Sequence, residues 1–288
     1  MQRTNSRARN GSALPLALAV ASVLGACALN APPALSTLNV AVADSASFPF
    51  AEVDAQAKAV LLASERKPDD VALAIQAASL LFQAADARVQ HAAVKVCAEG
   101  DSVELVLTAD DRVAAEVRTQ VASLCTDGLA AAERVLARES GNAAAQLQRG
   151  LCLSLLAWAN GTARSIVQGY GPRIVDAIDR AVAGDALGSD CAALRLQGRF
   201  RSKAPWPFRA RALARSALER AAKDAPCVVN LLFLGDALWL EGDRVNAVAK
   251  WRDVANARGS ESSAHSDAAL RQLAARRIAA AAREGAGS

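Results

Sequence analysis

Apolar residues recur at helical spacing from about residue 51 to the end of the chain, and short breaks rich in Gly, Pro or Asp divide them into segments. This pattern predicts helices near residues 51–66 and 71–97, and an Ala- and Arg-rich amphipathic helix over Asp267–Glu284. Ser102–Leu107 fits a short strand or a helix start. Thr108 and Asp111 then resemble a capping box that opens a long helix to about Leu136. Roughly a quarter of the residues are Ala, which favours an all-α fold.

The helices of the last third repeat with a period of roughly 34 residues, and this resembles the tetratricopeptide (TPR) pattern. The clearest repeats cover residues 191–258, where small residues let two antiparallel helices approach and large ones fill the space around the contact. The residues predicted to pack the repeats are Gly198, Ala214, Leu218, Leu234, Gly235, Ala247 and Trp251. We therefore expect a TPR-like α-solenoid of antiparallel helix pairs, capped by the C-terminal helix. The alternative is an unrelated helical bundle whose Ala-rich helices imitate the spacing.

The N-terminus has the features of a secretory signal, because Arg3, Arg7 and Arg9 precede an apolar run too short to span a bilayer. The run ends in Leu24-Gly25-Ala26-Cys27, which resembles a bacterial lipobox. This resemblance implies cleavage after residue 26, a diacylglycerol on Cys27 and an acyl chain such as palmitate on the new amine. Ala28, rather than Asp, implies the periplasmic face of the outer membrane. The alternative is an ordinary cleaved signal with a chance cysteine.

The predicted organisation is a signal peptide over 1–26, a flexible tether over 27–50 and a helical domain over 51–288. Without the three N-terminal arginines, the 33 basic residues become 30 against 29 acidic ones. The mature chain is then close to neutral, which argues against a nucleic-acid partner. Residues 51–128 suggest no function of their own.

The cysteines and histidines give little support for catalysis or metal binding. Five cysteines follow Cys27, none in a CxxC pair, and an odd number leaves at least one free. Cys191 and Cys227 occupy similar places in successive repeats, so either a disulfide or two free thiols fits them. His91 and His265 are the only imidazoles, and no phosphate-binding loop or nucleophile elbow occurs. We expect no enzyme activity, no cofactor and no metal.

The concave face of the predicted solenoid offers the best candidates for binding. Arg195 and Arg199 are four residues apart and share one helix face, where two guanidinium groups could hold a carboxylate. Asp236 and Trp239 lie at inward positions of the next repeat, and Tyr170 lies in a long insertion that could cover the groove. The alternative is structural: the arginines pair with acids and Trp239 packs on its neighbour.

The chain from about residue 130 to 257 resembles the T component of tripartite ATP-independent periplasmic (TRAP) transporters, lipoproteins built from degenerate TPR-like helix pairs. The resemblance rests on the lipobox and on the stretches Leu155–Trp158, Asp176–Ala181, Ser202–Pro205, Arg211–Ala212 and Ala221–Pro226, with a long insertion after the first. It implies a periplasmic substrate-binding protein as partner, with a small ligand or a homo-oligomer as further options. The alternative is a scaffold lipoprotein of the envelope that makes only protein–protein contacts.

Overall fold

A computed structural model describes residues 48–285, which lie within one compact unit. The signal sequence, the lipobox Cys27 and most of the predicted tether lie outside the described residues. Within the described part no β-strand forms, and the predicted all-α class is confirmed. The helices are α1 (Phe50–Arg66), α2 (Val71–Val96), α3 (Val103–Leu107), α4 (Ala115–Leu136), α5 (Ala143–Asn160), α6 (Thr162–Val167), α7 (Tyr170–Asp185), α8 (Gly188–Lys203), α9 (Arg211–Asp224), α10 (Val228–Leu240), α11 (Arg244–Asp253) and α12 (Asp267–Arg283).

The helices come in packed pairs. Helix α2 packs on α4, α5 on α7, α8 on α9, and α10 on α11, and each pair also contacts the next one along the chain. The first member of each pair, α2, α5, α8 or α10, is called here an inner helix. Helix α1 packs on α2, where Val53 and Ala57 are buried, and also contacts α4, whose Arg134 donates to Ser64 at 3.1 Å.

Small residues allow the close approach within the pairs. A Cβ atom on Gly235 of α10 would lie 2.5 Å from the indole of Trp251 and 3.1 Å from the carbonyl oxygen of Ala247, both on α11. Gly198 of α8 faces Leu218 and Ala214 of α9 in the same way. Of the other residues predicted to pack the repeats, Leu234 is also buried.

Two predictions near residue 110 are corrected or resolved by the structure. Ser102–Leu107 forms helix α3, whose Ser102 side chain accepts a hydrogen bond from the Leu105 amide. The predicted start of a long helix at Thr108 is wrong, because Ala109–Arg112 form one 3-10 turn and α4 begins at Ala115. The Asp110 carboxylate accepts a hydrogen bond from Lys203 at 2.7 Å instead of capping a helix.

The C-terminal helix does more than cap the last pair. Helix α12 packs on α10 and α11 and also on α2 and α3 at the other end of the series. Hydrogen bonds join these ends, from the Val103 amide to Glu284 at 2.8 Å and from Ser266 to Asp86 at 2.6 Å. The helix series of residues 48–285 therefore closes on itself around the inner helices.

Candidate functional site

The four inner helices surround a cavity of about 780 Å³. Its apolar wall follows from helical spacing, because residues four apart lie on one face of a helix. Leu151 and Leu155 line it from α5, as do Leu196 and Phe200 from α8. Helix α2 adds Phe82 and Val89, and α10 adds Val229, Phe233 and Ala237. A volume of this size is typical of a small-molecule site.

The insertion between α5 and α7 forms part of the cavity wall. It contains α6, and it turns at Gly161 and Gly169, which have φ angles of 76° and 62° that favour glycine. Tyr170 begins α7, is buried and lines the cavity. The ring of Phe208 lies against Gly171, so the insertion also contacts the segment that connects α8 to α9.

Arg195 is buried in the cavity wall, and no carboxylate in the described part of the chain is in hydrogen-bond contact with it. Its guanidinium donates to the carbonyl of Asp190 at 3.2 Å, to the side-chain oxygen of Asn230 at 2.9 Å and to the hydroxyl of Ser262 at 2.7 Å. Burial lowers its pKa, yet a guanidinium stays protonated at any physiological pH. In residues 48–285 the hydrogen-bond partners of this positive charge are neutral groups, and the carboxylates of Asp86 and Asp190 act on it only through space.

The backbone before Arg195 is unusual. Ser189, Asp190 and Cys191 adopt left-handed conformations, with φ angles of 50°, 58° and 59°. Such residues carry a conformational cost, of order 1–2 kcal/mol each. Arg258 bonds the Asp190 carboxylate at 2.6 Å, and Asn230 donates to the Asp190 carbonyl at 3.0 Å. These contacts fix the turn from which Arg195 extends.

Arg199 lines the cavity one turn after Arg195 and is already paired. It contacts the Asp236 carboxylate at 3.1 Å, and its guanidinium lies over the ring of Phe233 at 4.4 Å. Asp236 also receives bonds from Arg277 and from the indole nitrogen of Trp251. Arg199 and Asp236 therefore fit the structural alternative, in which the arginines pair with acids. Asp236 is buried behind the cavity wall and is not exposed to a ligand.

A second ion pair lies at one end of the cavity. Lys203, the last residue of α8, bonds Asp110 at 2.7 and 3.0 Å. Burial raises the pKa of Asp110, but Lys203 and Arg199 outweigh it and hold the pKa below the ordinary value. Burial and the neighbouring Arg199 lower the pKa of Lys203. This pair ties α8 to the turn that follows α3.

Trp239 is not part of the cavity lining. It packs against Trp251 at a ring distance of 5.4 Å, and the Arg244 guanidinium lies over it at 5.1 Å. The expected ligand contact is corrected to a packing contact, because the indole lies on the α11 side of α10.

The Cys191–Cys227 disulfide is not formed. Both are free, buried thiols, as are Cys97, Cys125 and Cys152. Cys191 packs with Leu194 and Ala217, whereas Cys227 packs in another cluster with Val228 and Leu232. Burial raises the pKa of the Cys191 thiol.

Several cavity residues were missed by the sequence reasoning. Phe82, Asp86 and Gln90 come from α2, in the part to which no function was assigned. Trp158 comes from the last turn of α5, and Phe208 comes from the connection between α8 and α9. The spacing of Phe82, Asp86 and Gln90 gives a usable signal for α2, because all three share one helix face. No comparable signal marks Phe208, since only the fold brings its loop to the cavity.

His91 and His265 lie together outside the cavity lining, where a ring nitrogen of His91 contacts the His265 carbonyl at 3.2 Å. No group of His, Cys, Asp and Glu suited to a metal ion occurs in residues 48–285. None of the helices described there is long and apolar enough to cross a membrane.

No known protein family has a model that matches this chain, and no curated protein matches it in sequence.

Proposed function

We propose that this chain is a lipid-anchored periplasmic protein that binds a small amphipathic carboxylate in its central cavity and works with a protein partner as an accessory component of a TRAP-type transport system. The observation that carries the proposal is the cavity of about 780 Å³, lined by inner helices and by the insertion. A scaffold that made only protein–protein contacts would not need such a cavity.

The chemistry of the wall selects the ligand class. Leu151, Leu155 and Phe200 provide apolar contact for a hydrocarbon body. Arg195 provides a buried guanidinium that hydrogen-bonds to no carboxylate of residues 48–285, and Arg199 lies one turn away. A ligand carboxylate at Arg195 would make a charge-assisted hydrogen bond and offset the cost of the buried cation.

The anchor and the partner rest on the sequence. Leu24-Gly25-Ala26-Cys27 matches the lipobox, and two or more acyl chains hold a protein stably at a membrane. The TRAP assignment rests on the resemblance of residues 130–257 to the T component, whose partner is a periplasmic substrate-binding protein.

Ligand binding is tested with the unlipidated chain that begins at residue 28 and a fluorescent fatty acid, parinaric acid, as probe. We expect saturable binding, and about tenfold weaker binding of its uncharged methyl ester, because hydrogen bonds to charged groups contribute about 1.5–3 kcal/mol. Ser154 lines the cavity and bonds the carbonyl of Gly150. Ser154→Phe should place a phenyl ring inside the cavity and weaken binding of the probe.

The matched control is Thr119→Phe, because Thr119 makes the same kind of bond to Ala115 but on the exposed face of α4. This variant should bind the probe as the unaltered chain does. If the acid and the ester bind equally well, or if Ser154→Phe leaves binding unchanged, the cavity is not a carboxylate site.

Anchor and partner are tested separately in cells. Cys27→Ser should release the full chain from the membrane fraction, and a chain that stays membrane-bound would contradict the lipobox. Purification of the lipidated protein from detergent-solubilised membranes should recover a periplasmic substrate-binding protein. Recovery of envelope assembly proteins without it would favour the scaffold alternative.

A further inference from the structure

One edge of the helix series collects exposed apolar side chains beside the cavity. The connections α5–α7, α8–α9 and α10–α11 all reach the cavity, through Ile166, Pro205 and Glu241. These connections also contact the neighbouring helices, because Phe208 lies against Gly171 at the start of α7 and Arg215 of α9 bonds Glu241 at 3.1 Å. We call the surface formed by α6, residues 204–213 and residues 240–245 the mouth edge.

Most of the large exposed hydrophobic side chains in residues 48–285 belong to the mouth edge. Those outside it are Leu62, Leu105 and Leu187. Val167 is 87% exposed and Trp206 is 88% exposed, so neither contributes to the core. The mouth-edge members are Ile166, Val167, Trp206, Leu213, Leu240 and Val245. Exposed apolar side chains concentrated in one place are typical of an interaction surface.

The charges on the mouth edge are mainly positive and mainly unpaired. Arg164, Arg209, Arg211 and Arg244 have no carboxylate within salt-bridge distance in the described chain. The acids here, Glu241 and Asp243, lie 3.1 and 3.8 Å from Arg215. The edge therefore presents apolar tips flanked by guanidinium groups that no carboxylate in residues 48–285 neutralises, although Arg209 donates to the Ala204 carbonyl and Arg244 lies over Trp239.

We propose that the mouth edge docks on a phospholipid bilayer that contains anionic lipids. Short segments that carry Trp and aliphatic tips with flanking arginines suit the interface of such a bilayer, where the tips enter the acyl boundary and the arginines contact phosphate. The same edge borders the cavity, so a ligand with a hydrocarbon body can pass between the bilayer and the cavity without crossing water.

The length of the preceding chain is compatible with this geometry, a step that rests on the proposed lipid anchor. Residues 27–48 span at most about 70 Å when extended, so an anchored Cys27 keeps the domain within reach of the same bilayer. The tether raises the effective concentration of the domain at that surface, and even weak docking is then populated. The edge supplies a second, reversible contact beside the anchor.

The test uses the unlipidated chain that begins at residue 28, because the compact unit from residue 42 has its own core. Cosedimentation is measured with phosphatidylcholine vesicles, with and without phosphatidylglycerol, at low and high salt. We expect binding to the anionic vesicles and a loss of binding at high salt. Arg164→Gln and Arg211→Gln should each weaken binding about fivefold.

The apolar tips are tested with Val167→Asp and Trp206→Ser, each of which should weaken vesicle binding about tenfold or more. Leu187→Asp is the matched control, because Leu187 is 52% exposed but lies outside the mouth edge; it should bind as the unaltered chain does. Circular dichroism with thermal unfolding verifies that all variants are folded.

The proposal is overturned if the chain binds neither kind of vesicle, or if the tip variants and the control bind alike. A dimer that Val167→Asp dissociates, without vesicle binding, would assign the edge to a second copy of the chain. Crosslinking of position 206 to a protein, again without vesicle binding, would assign it to a protein partner. Failure here leaves the parinaric acid and Cys27→Ser results unaffected, so the two proposals fail separately.

Discussion

The carboxylate of Asp236 on α10 contacts side chains from three other helices. It lies on α10, accepts from Arg199 of α8 at 3.1 Å and from Trp251 of α11 at 3.1 Å, and contacts Arg277 of α12 at 2.9 Å. Arg277 is buried, so Asp236 is the acid that compensates its charge inside the protein. Loss of one partner of a buried ion pair leaves the other charge uncompensated.

Asp236→Asn should therefore lower the free energy of unfolding by about 3–5 kcal/mol, measured by urea denaturation. Asp176→Asn is the matched control, because Asp176 also contacts two arginines, Arg149 and Arg180, but is half exposed. Its loss should be below about 1 kcal/mol, as for surface ion pairs. Equal losses in the two variants would show that burial does not decide the contribution of Asp236.

The sequence placed Asp236 on an inward helix face, but it could not show that Asp236 pairs with arginines of the protein instead of binding a ligand. Helical spacing brings Arg195 and Arg199 to one face, and the structure has both in the cavity wall. Arg277 is separated from Asp236 by 41 residues along the chain, and only the return of α12 brings the two together. Long-range convergence of this kind leaves no mark on local periodicity.

At the scale of helices, the close contact of α10 and α11 depends on the absence of a side chain at residue 235. Gly235→Ala should lower the free energy of unfolding by about 1–3 kcal/mol, since the new methyl group must displace the buried Trp251. The cost should exceed the gain of about 1 kcal/mol in helix propensity. Chemical denaturation gives the value.

Gly141→Ala is the control for this change, because no atom lies within 4 Å of the added Cβ atom and the backbone there is not left-handed. It should change the free energy of unfolding by less than about 0.5 kcal/mol. A neutral Gly235→Ala would mean that α10 and α11 do not need this approach.

Helix boundaries were predictable where the apolar pattern extends over many residues and where residues such as Gly, Pro or Asp interrupt it. The helices expected near 51–66, 71–97 and 267–284 are observed as α1, α2 and α12 with almost the same bounds. The start of α4 was not predictable, because the capping pattern of Thr108 and Asp111 is local, whereas the neighbouring Asp110 bonds Lys203, which is 93 residues away, in a 3-10 turn. Tertiary ion pairing overrides a weak local signal there.

At the scale of the whole unit, the junction between α2 and the segment before α12 closes the helix series. His91 of α2 contacts the carbonyl of His265, and the ring of Phe48 lies 4.4 Å from that of His91 and 6.0 Å from that of His265. Asp267 at the start of α12 is partly buried, accepts a hydrogen bond from Ser263 at 3.1 Å, and has its pKa raised by desolvation to about 6. The closure therefore contains two histidines and an aspartate whose pKa values differ from the ordinary ones.

Burial lowers the pKa of both imidazoles below the ordinary 6.5. The unfolded chain then takes up protons before the folded one, and the histidine contribution to stability decreases as pH falls below about 6.5. Asp267 acts in the opposite sense, because its folded-state pKa is the higher one. Its contribution grows as pH falls from about 6 to about 4.

His91→Phe should accordingly reduce the loss of stability that histidine protonation causes as pH falls below about 6.5. The contribution of Asp267 is the same in both chains, so the difference between them isolates His91. The measurement is the free energy of unfolding in urea across pH 4–8, compared as differences so that any constant packing cost of the new ring cancels. Asp267→Asn should leave the interval from pH 8 to 7 unchanged and remove the gain between pH 6 and 4. If His91→Phe instead runs parallel to the unaltered chain at every pH, the imidazole at the α2–α12 junction is not buried as a neutral group, and closure of the helix series is not sensitive to pH through His91.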